Sequence, residues 1–255
     1  MFTETKNALS EMAIKKVSFF EKSISKYILA SMLAGAYVGF GIFLIMTIGG
    51  IGEANSFPFT KVLMGVSFGI ALSLVIMSGS ELFTGNNLIL TVGALDKKIT
   101  WKQTLNLWFF SFLGNLIGSV IIGYLFVRTN LAGSDTGNFV LSLASKKMTA
   151  DIDVLFVKGI LCNILVCLAV LCSVKLKSES AKLIMIFWCL FAFITSGFEH
   201  SIANMSIFAM ALFIPHSDMV SLYGMIYNLV PVTLGNIIGG SVFLGFSYYY
   251  LGKEA

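Results

Sequence analysis

The chain has 255 residues, of which 57% are hydrophobic and 12% charged, and its net charge is +4 at neutral pH. A soluble domain carries about a quarter charged residues, so the composition excludes a water-soluble globular protein. The basic residues form no long tract, and no nucleic-acid partner is expected. The apolar runs are long and do not alternate, which indicates an all-α polytopic membrane protein rather than a β-barrel.

Residues 1–26 form the first segment. They lack the apolar core and cleavage site of a signal peptide. Leu9, Met12, Ala13, Val17, Phe20 and Ile24 recur at helical spacing among Lys15, Lys16, Glu21 and Lys22. This predicts an amphipathic helix, cytoplasmic, lying on the membrane or under the bundle.

Residues 27–255 form a single transmembrane domain. Six spans are expected near 27–50, 62–94, 101–127, 154–174, 183–214 and 220–251. The second and fifth overshoot the roughly 20 residues one crossing needs, and each is interrupted. Twelve of the 17 basic residues fall on one side of this arrangement; Lys61, Arg128, Lys146, Lys147 and Lys158 fall on the other. The excess places both termini in the cytoplasm.

The two interruptions share a motif. The second span contains Ser78-Gly79-Ser80-Glu81-Leu82-Phe83-Thr84-Gly85-Asn86-Asn87, and the fifth contains Ser196-Gly197-Phe198-Glu199. A second echo follows each: Gly114-Asn115-Leu116-Ile117-Gly118-Ser119 against Gly235-Asn236-Ile237-Ile238-Gly239-Gly240-Ser241. The chain therefore reads as a duplication, with repeats near 27–127 and 154–251. Three spans per repeat invert the second copy, so the broken helices meet near the midplane and line a path. Gly114, Gly118, Gly235 and Gly239 allow close helix packing.

The fifth span continues as Glu199-His200-Ser201-Ile202-Ala203-Asn204. Ionisable groups at this depth are costly and mark function. Glu199 and His200 are adjacent and do not share a helix face, so Glu199 is expected to hold the broken backbone and His200 to face the lumen. Glu81 is its structural counterpart. Asn163 is a candidate hydrogen-bond partner for the cluster, and Thr84 and Asn86 offer polar groups at the first break. On spacing alone Lys147 is a solvated loop lysine, and Phe68, Leu72, Phe83 and Phe193 are packed or lipid-facing. Cys162, Cys167, Cys172 and Cys189 lie inside apolar spans, read as small buried hydrophobes, and fit no metal spacing. No metal and no cofactor are expected.

Residues 78–86 and 197–205, with Pro231-Val232-Thr233-Leu234-Gly235-Asn236-Ile237-Ile238-Gly239-Gly240, resemble the signatures of the formate/nitrite transporter family, over nearly the whole chain. The resemblance implies an aquaporin-like protomer, a homopentamer and one anion path per protomer. It implies a central His200 with a flexible loop at Thr84, an outer constriction of Phe68 and Phe193, and an inner one of Leu72, Phe83 and Val166. Lys147 matches a lysine near the external entrance, and Asn163 and Asn228 match polar positions of the pattern. Gly85-Asn86 departs from the Ser-Thr of formate channels and is similar to nitrite and hydrosulfide branches. The expected function is a channel for small weak-acid anions in a bacterial inner membrane, hydrosulfide first, formate or nitrite next, and no enzyme. The alternatives are a proton-coupled carrier, a water or glycerol channel lacking the Asn-Pro-Ala signatures, and a membrane enzyme using Glu81, Glu199 and His200.

Overall fold

The computed structural model describes residues 2–253; Met1, Glu254 and Ala255, which the expected segments 1–26 and 27–255 include, lie outside the described residues. Among the described residues every regular element is helical. An amphipathic helix, α1 (Phe2–Lys22), precedes the first long helix, α2 (Ile24–Ala54). The second crossing is split into α3 (Thr60–Ser67) with α4 (Gly69–Ser78), then a break, then α5 (Phe83–Leu95). Helix α6 (Trp101–Val127) closes the first half behind a Thr100–Gln103 capping box.

The second half repeats the plan. Helix α7 (Asp135–Met148) leads into α8 (Ile152–Lys175). The fifth crossing is α9 (Glu179–Ser196), a break, and α10 (Ser201–Phe213). Helix α11 (Leu222–Ile238) continues through a π-helical segment, Gly239–Phe246, into α12 (Ser247–Gly252). Among the described residues six stretches are long and apolar enough to cross a membrane: α2, α3–α4, α6, α8, α9 and α11–α12. Helices α5 and α10, at 13 residues each, are about 20 Å long and reach only part of the way.

The packing shows why half-helices are stable here. An unbroken run from Phe83 to Ala94 and another from Ser201 to Ala211 are buried on every face, their polar residues included. The half-helices are exchanged between repeats: α10 lies against α6 of the first half, and α5 lies against the π segment of the second. Helix pairs α2–α6 and α8–α11 form the two principal contacts. Both are closed by glycine in the same way. A Cβ at Gly114 would meet the Ile28 carbonyl oxygen at 3.0 Å, and one at Gly118 would collide with the Met32 carbonyl; Gly235 and Gly239 stand equally hard against the carbonyls of Phe156 and Ile160. These close approaches are what the paired glycine motifs supply.

Helix α1 lies under the bundle with Leu9, Ala13, Val17 and Phe20 buried; its main partner is α5, while the Phe20 ring packs on Tyr27 of α2 and Phe110 of α6. The connection after α6 contains a helix, α7, where a loop is expected from the sequence. Helix α1 packs mainly on α5, whereas α7 packs mainly on α2 and also reaches α10; each half consists of a short helix followed by three crossings.

Candidate permeation path

The breaks begin identically. Helices α4 and α9 end on Gly79 and Gly197, with φ of +72° and +79°, the left-handed region that glycine enters without strain. The N–H of Ser80 donates to the Val75 carbonyl (3.1 Å) and that of Phe198 to the Phe193 carbonyl (3.0 Å), the six-to-one closure of a glycine C-cap. The chain then runs extended past a glutamate whose N–H reaches the preceding long helix: Glu81 donates to Ala30 O (3.2 Å), Glu199 to Lys158 O (3.3 Å).

Asparagines, not the glutamates, hold the broken backbone. Asn115 accepts the Phe83 N–H on Oδ1 (3.0 Å) and donates to the carbonyls of Ser31 (2.7 Å) and Glu81 (2.9 Å). Asn236 accepts the Ser201 N–H (2.9 Å) and donates to the carbonyls of Gly159 (2.8 Å) and Glu199 (3.0 Å). Both side chains are fully buried. They satisfy groups that a helix break orphans at membrane depth. This corrects the expectation that Glu199 does so. The Gly-Asn echo contained these residues, but its glycines drew the reading toward helix packing.

The glutamate side chains form ion pairs instead. Both carboxylate oxygens of Glu199 take Lys147 Nζ at 2.7 Å, and Asn204 Nδ2 donates to the same group at 2.7 Å. Asn204 also donates to Asn228, which donates to the Lys147 carbonyl. In the other half, both oxygens of Glu81 take Lys16 Nζ at 2.8 Å, with Asn86 Nδ2 at 3.0 Å. Asn86 donates further to the Tyr27 hydroxyl at 3.2 Å. Lys147, on α7, and Lys16, on α1, thus occupy corresponding positions. Lys147 is not a solvated loop lysine: its side chain is 14% exposed.

His200 stands between the halves. It is the N-cap of α10, and its Nδ1 accepts the Ala203 N–H at 3.1 Å. That bond assigns Nδ1 as an acceptor, so the neutral imidazole carries its proton on Nε2. Nε2 lies 3.0 Å from Thr84 Oγ1 at the other break. Asn163 makes no hydrogen bond to His200. It ties the crossing from behind, donating to the Thr84 carbonyl (3.2 Å), Asn87 Oδ1 (3.0 Å) and the Asn236 carbonyl (2.6 Å).

Cavities mark a route past this point. On the α7 side a vestibule of about 680 Å³ reaches down to Phe193 and His200, with Lys147, Glu199 and Asn204 on its wall. On the α1 side a second of about 330 Å³ is lined by Lys16, Asn86, Leu72 and Leu82 among others. Between them lies a space of about 10 Å³ enclosed by Phe68, Leu72, Leu82, Val166, Phe193 and His200. Phe68 meets Phe193 edge-to-face at 5.7 Å, and Phe193 stacks on His200 at 6.0 Å. Phe83 does not line these cavities. Its ring packs on Trp108 and Phe112 of α6, and its neighbour Leu82 lines both the α1-side vestibule and the central space.

Six crossings in inverted repeats, with half-helices meeting across a narrow apolar neck between two vestibules, define a membrane transport protein of the channel type. The sequence model of the formate/nitrite transporter family matches residues 3–250. The nitrite transporter of Escherichia coli is 44% identical over 257 residues, covering all of this chain and 94% of that one. A solved structure described as an FNT family ion channel superposes with a TM-score of 0.92 at 41% identity, covering 98% of this chain and 99% of its own. A pentameric formate channel with formate bound gives 0.79 at 32% identity, covering 91% and 98%. The chain belongs to the formate/nitrite transporter family, a family of transporters and channels rather than enzymes.

Proposed function

We propose that the chain conducts small monovalent anions of weak acids across a bacterial inner membrane, through one path in each protomer of a homopentamer. The relative named for nitrite is 44% identical and the structure named for formate is 32% identical, which moves nitrite to first place among the substrates. Hydrosulfide, the sequence reading's first choice, is the second: Gly85-Asn86 follows Leu-Phe-Thr here, unlike the pattern of formate channels.

One observation carries the mechanism: His200 Nε2 sits 3.0 Å from Thr84 Oγ1 where the breaks meet. A bare charge entering the apolar neck loses its hydration at great cost. An anion arriving between His200 and Thr84 would find an N–H and a hydroxyl to replace part of its water shell. Both half-helices present their N-terminal ends at this level, and those ends favour negative charge. Because Nδ1 is engaged by the Ala203 N–H, His200 is suited to donate a hydrogen bond. Lending a proton would require Nδ1 to be protonated and the cap of α10 given up.

The test is flux into liposomes carrying the purified protein, with nitrite, hydrosulfide, formate and chloride compared with and without a pH gradient. Nitrite or hydrosulfide passing while chloride is held back supports the reading. Flux of water or glycerol alone would replace it with the aquaporin-type alternative. Uphill accumulation driven by the gradient would make the protein a proton-coupled carrier. A His200→Asn protein with unchanged rate, pH dependence and selectivity would remove the imidazole from the mechanism.

A further inference from the structure

The two vestibules are unequal. The α7-side cavity, at about 680 Å³, has twice the volume of the one opposite, at about 330 Å³. A water molecule's share of liquid is about 30 Å³, so the larger vestibule far exceeds what a triatomic anion requires. Its volume falls in the range of small-molecule sites, about 300–1,000 Å³.

Charge is unequal too. Lys147 is committed to Glu199. Lys61, Lys146 and Lys158 also line this vestibule together with one further carboxylate, Glu53, and none of the three lysines is ion-paired among the described residues, so cations outnumber carboxylates four to two. Lys61 lies over the second break: a Cβ on Gly197 would stand 3.2 Å from its Nζ. Lys158 belongs to the turn of α8 whose carbonyl receives the Glu199 N–H. The wall beside them carries the rings of Phe57, Phe139 and Phe198, with Met46 and Met64. Among the described residues the α1-side vestibule has Lys16 as its one lysine, and that lysine is paired.

We infer that the α7-side vestibule is a binding site for amphipathic organic monoanions, an aryl or alkyl carboxylate, with the carboxylate at Lys61 and Lys158 and the apolar body against Phe57, Phe139 and Phe198. Such a molecule seats and does not pass. The neck beyond Phe68 and Phe193 encloses only about 10 Å³. The ligand therefore plugs the mouth and blocks flux from one side. The block, though not the binding, rests on the reading of this vestibule as one mouth of the anion path.

The experiment uses 4-butylbenzoate as probe and its neutral amide as control. Binding to the purified protein is measured by equilibrium dialysis, independently of transport, and block is measured by adding the probe to either side of oriented liposomes. Expected are binding of the carboxylate and not the amide, and about tenfold weaker binding in Lys61→Gln, the loss of one charge-assisted contact. Phe57→Ser, at an exposed position on the vestibule wall, should weaken binding in the same dialysis measurement. Block should occur only from the α7 face. Equal binding of the amide, binding indifferent to both substitutions, or equal block from both faces would overturn the inference. If the protein moves no anion yet binds the carboxylate in a Lys61-dependent way, the transport reading fails and the site stands.

Discussion

Replacing Asn236 by alanine is the sharpest test of how the breaks are held. The substitution removes three hydrogen bonds from a side chain with no exposure: one from the Ser201 N–H and two to the carbonyls of Gly159 and Glu199. Gly159 lies inside α8, where its carbonyl also serves the helix ladder. The Ser201 N–H and the Glu199 carbonyl are left without partners in the break itself. A buried unpaired group costs about 1–3 kcal/mol, so two give about 2–6 kcal/mol, less whatever water the vestibule admits. Asn115→Ala should cost a similar amount, because it strips the Phe83 N–H and the carbonyls of Ser31 and Glu81. The assay is denaturant unfolding in detergent, followed by helical circular dichroism, with Asn138→Ala as a control outside the break network. A loss below about 1 kcal/mol for both variants would refute the assignment, since ordinary surface substitutions stay within about 0.5 kcal/mol.

Lys16→Ala leaves the buried Glu81 carboxylate with Asn86 alone and should cost about 3 kcal/mol; Lys16→Met combined with Glu81→Gln should recover most of it, and no recovery would mean that the pair is not the cause. Asp96 caps α5 at the α1 face. Burial alone would raise its pKa, but hydrogen bonds from Lys6 and Ser10 and the Lys6 charge outweigh that and hold it below the usual carboxylate range. A depressed folded pKa adds stability that is present above about pH 4 and lost as pH falls further. Proteolytic release of α1 should therefore rise only below that point, and Asp96→Asn should remove the pH dependence. Gly118→Ala drives a methyl into the Met32 carbonyl and should destabilise the α2–α6 pair by about 1–3 kcal/mol, whereas Gly133→Ala, with nothing within 4 Å, should be neutral in the same thermal scan.

The fold was legible because its signals are local. The glycines at positions 79 and 197 stop helices, the polar runs after them rule out continuous spans, and the paired motifs expose the duplication. What failed to show was contact across long separations. Lys16 and Glu81 are 65 residues apart, and Lys147 and Glu199 are 52. Periodicity marks the buried face of α1 but does not reveal what that face meets. Phe83 was assigned to the constriction, yet Leu82 lines it. After a break the helical phase is not inherited, so the residue preceding the new helix and the first residue within it point in different directions. Spacing from the preceding helix cannot decide between them.

Duplication explains the scaffold, and divergence explains the neck. Asn115 matches Asn236, Glu81 matches Glu199, and Lys16 matches Lys147, each with the same partners in its own half. These residues maintain two half-helices whose N-termini converge, and that backbone arrangement favours negative charge whichever side chains line the path. The N-cap positions are where the halves part. Leu82 caps α5 with no side-chain bond, whereas His200 caps α10 through Nδ1 and turns Nε2 toward Thr84. A single asymmetric imidazole has been set into a symmetric, backbone-based anion field. Under the proposed function, the sign of the permeant charge would belong to the fold, and the imidazole would set how fast the anion sheds its water in the neck.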